Sequence, residues 1–135
     1  MRIAVLSATA LLAVGTLAAC SSSDDTEAVG GMTECTMDAL AQPAQDAATA
    51  LGADNVYTID SVDCSDGWAV TGGILGSEAD PETGAPTSFI FQAEGQFWIP
   101  KTQDQVCGTM NADDPSAVPD DAEIPSALYE AGCLT

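Results

Sequence analysis

Five cysteines, at positions 20, 35, 64, 107 and 133, carry the most readily interpreted chemistry of this chain. Cys35, Cys64, Cys107 and Cys133 are an even number within about 100 residues, which is typical of the disulfide framework of a small exported domain. Four cysteines allow three pairings, and we favour the sequential one, Cys35 with Cys64 and Cys107 with Cys133. Each bridge then closes a loop of nearly thirty residues and contributes about 3 to 4 kcal/mol in the chain-entropy model. A four-thiolate zinc site is disfavoured, because no two cysteines have the CxxC spacing.

Cys20 follows a segment with the layout of an export signal. Arg2 precedes an apolar run over residues 3–19 that contains no charged residue. As a helix this run spans only about 26 Å, at the lower limit for crossing a bilayer, so a cleaved signal is the stronger interpretation. The end of the run, Leu17-Ala18-Ala19-Cys20, resembles the bacterial lipobox. The resemblance implies that residues 1–19 are removed and that Cys20 carries diacylglycerol, with a further acyl chain such as palmitate on its amino group. Two or three chains give stable membrane anchoring.

The residues after Cys20 predict a flexible tether. Residues 21–31 have the sequence SSSDDTEAVGG, with three carboxylates and almost no apolar surface to bury. We assign residues 20–34 to a lipidated tether, which holds the domain about 20 Å from the bilayer. Residues 35–135 are then expected to form one small disulfide-bonded domain.

The balance of charged residues excludes several classes of function. The chain has 21 Asp and Glu against two basic residues, Arg2 and Lys101, and it has no histidine. Nucleic acid and anionic lipid headgroups are disfavoured as partners, because binding phosphates requires a basic surface. Serine-hydrolase triads, Cys-His proteases and His-liganded metal sites all lack a required group. We therefore expect a protein that is not an enzyme, with no catalytic residue and no cofactor.

Two groups of acidic residues are candidates for calcium. Asp60, Asp63 and Asp66 recur every third residue, and calcium takes hard oxygen ligands. The second group consists of Asn111, Asp113, Asp114, Asp120 and Asp121. Neither group fits the EF-hand loop, and Asp66-Gly67 is typical of a turn between strands. The sequence therefore assigns no metal site and leaves calcium as an alternative.

A helix is predicted ahead of these candidates. Apolar residues recur at helical spacing from Met37 to Leu51, and Gly52 offers a C-terminal stop. They are Met37, Leu40, Ala44, Ala47, Ala48 and Leu51. Pro43 leaves two starts open: either the helix begins at Pro43, or a helix from Thr36 is kinked there.

Antiparallel strands are predicted next. Residues 56–59 (VYTI) and 68–71 (WAVT) are rich in β-branched and aromatic types, and the cluster ending in Asp66-Gly67 is expected to join them as a turn. Residues 77–86 (SEADPETGAP) are predicted as a loop.

A second hairpin is the clearest pattern in the chain. Residues 88–93 (SFIFQA) and 96–99 (QFWI) flank Glu94-Gly95. A two-residue turn there would place Phe91 opposite Trp98, and also Ile90 opposite Ile99. Phe89, Phe91 and Trp98 would then share one face, which we interpret as core rather than as a ligand-binding stripe.

The chain is predicted to close with a polar loop and a short helix. Residues 101–123 are loop-like, with Pro115 and Pro119 breaking any helix. A helix is expected from Pro125 through residue 131, stopping at Gly132 just before Cys133. The fold class is therefore α+β: an N-terminal helix, a meander of three to four antiparallel strands and a short C-terminal helix, with both helices on one side of the sheet.

Several short motifs resemble a recurring pattern in small secreted proteins and lipoproteins of high-GC Gram-positive bacteria. The pattern runs from Cys35 through Cys64-Ser65-Asp66-Gly67-Trp68-Ala69-Val70, Phe89-Ile90-Phe91, Phe97-Trp98, Cys107 and Ile124-Pro125-Ser126-Ala127-Leu128-Tyr129 to Cys133. The function of that group is uncharacterised. The resemblance implies an actinobacterial cell-envelope location and an α+β fold, and it implies no catalytic residue.

The expected function is that of a lipid-anchored lipoprotein on the extracytoplasmic face of the cell membrane. Its domain is expected to bind an envelope protein or peptide without catalysis. A calcium- or small-ligand-binding lipoprotein is the alternative. A small hydrolase using a carboxylate pair comes third, because about 100 residues with few aromatics leave little room for a sugar cleft.

Overall fold

A computed structural model of the protein describes residues 33–135, which contain four strands and three helices. They are α1 (Met37–Leu51), β1 (Asn55–Ser65), β2 (Trp68–Ser77), β3 (Asp80–Glu94), β4 (Phe97–Lys101), α2 (Gln103–Val106) and α3 (Ser126–Cys133). The strands form one antiparallel sheet in the order β1-β2-β3-β4, which confirms the predicted α+β class and meander. The predicted signal peptide, Cys20 and most of the predicted tether lie outside the described residues. No helix within 33–135 has the length and apolar character needed to span a membrane.

Helix α1 covers the apolar pattern from Met37 to Leu51 and ends, as predicted, just before Gly52. The Thr36 hydroxyl accepts a hydrogen bond from the backbone N–H of Ala39 at 3.1 Å and so caps the first turn. Pro43 lies inside the helix, so the helix starts at the earlier of the two sites left open by the sequence. Its buried residues are Leu40, Ala44 and Ala48, spaced by four, whereas the terminal residues Met37 and Leu51 stay exposed.

The predicted pair of strands before and after Asp66-Gly67 is confirmed and is longer than the sequence indicated. Asp66 and Gly67 both have positive φ angles, 49° and 80°, between the paired residues Ser65 and Trp68. Two consecutive positive φ angles are typical of the type I′ turn, whose twist matches the twist of the strands it joins. Asp66 is therefore a turn residue.

The prediction of a loop over residues 77–86 is wrong, because β3 begins at Asp80. Its first half pairs with β2, with Ala85 opposite Leu75 and Pro86 opposite Ile74. Strand β4 pairs with β3 only from Ile90 to Glu94, so the outer edge of the first half of β3 pairs with no other strand of residues 33–135. A strand tolerates proline where its N–H would face away from the neighbouring strand, which allows the Pro-rich and Gly-rich segment to be extended.

The predicted register of the second hairpin is also wrong. Ala93 lies opposite Trp98 and Gln92 lies opposite Ile99, so the turn residues are Gly95 and Gln96. Gly95 has a φ of 64°, and glycine at the first turn position is the arrangement of the type II′ turn. The predicted turn would have placed Glu94 first instead. The shift is two residues, which leaves every side chain on its predicted face.

The two helices lie on opposite faces of the sheet, contrary to the prediction that both pack on one side. Trp68 and Val70 pack with α3 residues, whereas Ala69 between them packs with α1 residues. Ile90 and Phe91 divide in the same way. Because successive strand residues point to opposite faces, these assignments put α1 on one face and α3 on the other. The cluster under α1 holds Phe89, Phe91 and Trp98, which confirms their predicted role as core.

Helix α3 continues through Gly132 to Cys133, so the predicted stop at Gly132 is wrong. A Cβ at position 132 would lie 2.9 Å from Ile124 Cδ1 and 3.2 Å from the side chain of Ile90. Glycine is therefore used here for close packing of the helix on the sheet rather than for a left-handed cap. The four-residue helix α2 falls within the segment predicted as loop.

Candidate functional site

The four cysteines of the described domain form the two predicted sequential pairs. Cys35 and Cys64 have their Cα atoms 6.5 Å apart, and Cys107 and Cys133 have theirs 5.8 Å apart, both within the disulfide range. The first bridge joins the start of the described chain to β1. The second joins the end of α2 to α3 and lies in the core, with each cysteine 8% exposed.

The calcium candidates of β1 are not gathered into a site. Asp60 and Asp63 are exposed residues of this edge strand, and Asp66 occupies the turn that follows. Within residues 33–135, no three Asp, Glu or Cys side chains lie close enough together to hold a metal ion.

The second acidic group organises its own loop. The Asp121 carboxylate accepts hydrogen bonds from the Thr109 backbone N–H at 2.9 Å and from the Thr109 hydroxyl at 2.8 Å. Asp114 accepts one from the Ser116 hydroxyl at 2.7 Å. These bonds favour the ionised forms and lower the pKa of both carboxyls below the usual range. Asp121 therefore ties together the two ends of the loop between α2 and α3.

A buried hydroxyl links three strands of the sheet. The Tyr57 hydroxyl of β1 donates to the Thr87 carbonyl of β3 at 2.8 Å and shares a 3.3 Å hydrogen bond with the Thr71 hydroxyl of β2. Burial raises the pKa of the Tyr57 hydroxyl. The Tyr57 ring packs edge-on against Phe89, with 4.8 Å between the centroids. This network is structural and positions the central strands.

An open groove of about 510 Å³ separates α1 from β4, and we call it the α1–β4 groove. Its helix side includes Ala39, Pro43 and Ala47, which recur every fourth residue and therefore line up beside the buried row of α1. Its strand side is the run from Phe97 to Pro100. The small residues of α1 leave the space, and its lining is mostly apolar.

Two aromatic residues of β4 have different roles at this groove. Trp98 is buried, and its Nε1–H donates to the Glu34 carbonyl at 3.1 Å, which holds the incoming chain so that Thr33 lines the groove. Phe97 is 71% exposed, the largest exposed fraction among the bulky apolar residues of 33–135. Phe97 is predicted from the sequence only as a strand residue, and the alternation of side chains along a strand puts it on the opposite face from its neighbour Trp98.

The described domain has a strongly negative surface. Three of the chain's 21 acidic residues, Asp24, Asp25 and Glu27, precede residue 33, so residues 33–135 contain 18, and all 18 are exposed. The lysine of this region, Lys101, forms an ion pair with Glu94 at 3.1 Å between Nζ and Oε1. Cationic groups are therefore attracted to this domain and anionic ones are repelled.

The chain matches no protein-family model, and neither a curated protein nor a solved structure resembles it significantly. Its fold and surface define it only as a small, acidic, disulfide-bonded α+β domain with one face of its first helix bordering an open groove.

Proposed function

We propose that this protein is a lipid-anchored lipoprotein of the bacterial cell envelope that displays a non-enzymatic binding domain on the extracytoplasmic face of the membrane. The observation that carries the proposal is the pairing of all four domain cysteines downstream of a lipobox-like Cys20. Disulfides form and persist outside the reducing cytosol. Export and lipidation would both be achieved by the same N-terminal segment.

The surface of the domain supports binding rather than catalysis. Enzymes that use two carboxyl groups place one of them in an apolar environment, which raises its pKa so that it can act as a general acid. Every carboxylate of residues 33–135 is exposed instead. The α1–β4 groove is open and mostly apolar, and the exposed Phe97 lies on the strand that borders it. An exposed apolar patch rimmed by polar residues is typical of an interaction surface.

The lipid anchor is tested by metabolic labelling of cells with an alkyne analogue of palmitate. We expect label on the wild-type protein and on the matched control Ser21→Ala, and none on Cys20→Ser. The label should survive hydroxylamine in part, because one acyl chain is amide-linked. An unlabelled wild-type protein, or label that persists in Cys20→Ser, would remove the anchor from the proposal.

A further inference from the structure

We propose that the α1–β4 groove binds an extended cationic peptide segment of another protein, in which Lys or Arg residues alternate with apolar ones. This inference deepens the proposed function and rests on it, because that function makes the domain a binding module close to the membrane. Three features of the domain carry it: a free strand edge, an apolar contact surface and the charge of the surroundings.

The free strand edge sets the conformation of the segment. Among the strands of residues 33–135, β4 is the last of the sheet, so one of its edges pairs with no strand of this region. An edge strand of five residues matches an extended peptide of about 17 Å. Pro100 has no N–H to donate, so a complete backbone ladder cannot form along this edge. Affinity must therefore come largely from side chains, with the edge providing direction.

The apolar contacts explain why the segment needs alternate apolar residues. Side chains of an extended peptide alternate between two directions, so every second one can enter the groove. There it would meet the row of Ala39, Pro43 and Ala47 and the base formed by Trp98. Phe97 lies on the opposite face of β4 from Trp98, so its exposed ring would meet the side chains that point away from the groove, where a Lys or Arg can lie over an aromatic face.

Charge decides which occupant the groove takes. Asp46 lies on the groove wall, and the 18 exposed carboxylates face a single lysine that is already paired. A second copy of the domain would bring the same excess of negative charge. The chain's own preceding segment carries Asp24, Asp25 and Glu27, and it is disfavoured for the same reason. A cationic segment is the occupant that this field attracts.

The location of the groove specifies where the partner segment lies. Thr33 lines the groove and follows the proposed lipidated Cys20 by thirteen residues. A flexible chain of that length has an end-to-end distance of about 20 Å. A partner segment would therefore be met close to the outer surface of the membrane.

The test uses residues 20–135 with Cys20→Ser, exported behind a signal peptide whose cleavage needs no lipid and labelled with ¹⁵N for NMR. The probe is the synthetic peptide Lys-Val-Lys-Phe-Lys-Val, and the control probe is Lys-Ser-Lys-Ser-Lys-Ser, which has the same charge. We expect the first peptide to shift the amide signals of β4 and of the groove side of α1, with an affinity that falls as salt is raised. The control peptide should leave these signals in place.

Matched variants locate the binding energy. Phe97→Ser removes the aromatic face beside the cationic side chains and should weaken binding by roughly two- to fivefold. Met110→Ser removes another exposed apolar side chain, 56% exposed and outside the groove, and should change binding by less than about twofold. Asp46→Asn should weaken binding more than Asp60→Asn does. Circular dichroism checks that each variant is folded.

Three results would overturn the inference. The first is equal binding of both peptides with shifts spread over the acidic loops, which would indicate diffuse electrostatic attraction only. The second is a change in the β4 signals with protein concentration alone, which would indicate a second copy in the groove. The third is peptide binding that appears only after deletion of residues 21–32, which would indicate that the chain's own segment fills the groove. The labelling experiment on Cys20 is independent: label without peptide binding refutes the groove alone, and peptide binding without label refutes the anchor alone.

Discussion

Removing the Cys107–Cys133 bridge should destabilise the domain more than removing the Cys35–Cys64 bridge, although both close loops of similar length. Sequence separations of 26 and 29 residues give about 3.5 kcal/mol each in the chain-entropy model. Cys107 and Cys133 are each 8% exposed within the core under α3, whereas Cys64 is exposed. Replacing the buried pair by alanine also removes packed atoms, which adds about 1 to 2 kcal/mol.

The assay is urea unfolding of the two double alanine variants and the parent, followed by tryptophan fluorescence. With slopes of about 1 to 3 kcal/mol per molar urea, each lost bridge should lower the midpoint by more than about 1 M. If the variant that lacks Cys107 and Cys133 does not fold, partial reduction and alkylation of the parent protein shows which of the two bridges opens first. Exposure of Cys64 should make the Cys35–Cys64 bridge the first to open. Equal losses of stability in the two variants, or first reduction at Cys107, would show that burial does not set the difference between the bridges.

Three further predictions concern single side chains. Tyr57→Phe leaves the fully buried hydroxyl of Thr71 without its hydrogen-bond partner and should lower the free energy of unfolding by about 1 to 3 kcal/mol. Adding Thr71→Val should restore part of this loss, because the unpaired hydroxyl is then removed. Strictly additive losses in a double-mutant cycle measured by thermal melts would contradict this. Gly84→Ala should lower the melting temperature, because the added Cβ would overlap the backbone carbonyl of Leu75 on the paired strand β2, and an unchanged or raised melting temperature would contradict the packing argument. Hydrogen bonding lowers the pKa of the Asp121 carboxyl in the folded state, so the ionised carboxylate stabilises the fold above the ordinary pKa of 3.8, and this stabilisation is lost as the pH falls through the lowered pKa. The difference in melting temperature between the wild type and Asp121→Asn should therefore narrow between about pH 6 and about pH 2. A difference that stays constant over this range would contradict the prediction.

The features predicted correctly from the sequence depend on short-range patterns. Helix α1 combines apolar residues at helical spacing with Thr36 at its start and Gly52 at its end, and all of these signals lie within one segment. The strand pair around Asp66-Gly67 has an equally local cause, the turn chemistry of two residues. Each disulfide joins two cysteines that follow one another in the order of cysteines along the chain, so the pairing could be predicted without knowing the strand order of the sheet.

The first half of β3 could not be predicted, because its cause lies elsewhere in the chain. Asp80 to Pro86 has the composition of a loop, and its prolines are compatible with a strand only where an edge is free. Within the described domain that edge is left unpaired because β4 is five residues long and ends at Lys101. The composition of residues 77–86 says nothing about the length of β4, so the strand could not be predicted from this segment alone.

The position of α3 had a signal in the sequence that the prediction did not use. Trp68-Ala69-Val70 and Ile90-Phe91 are consecutive apolar residues, which is typical of strands buried on both faces. That pattern would have placed a helix on each side of the sheet. The α1–β4 groove has no comparable signal, because it depends on how the small residues of α1 lie against β4 in three dimensions.

The lipid anchor and the disulfide framework are tested together by the intact mass of the protein purified from the membranes of its own cells. We expect a chain that begins at Cys20, carries diacylglycerol and an additional acyl chain there, and is four hydrogens lighter than the reduced form because of two disulfides. A chain that retains residues 1–19, or one whose Cys20 bears no lipid, would contradict it.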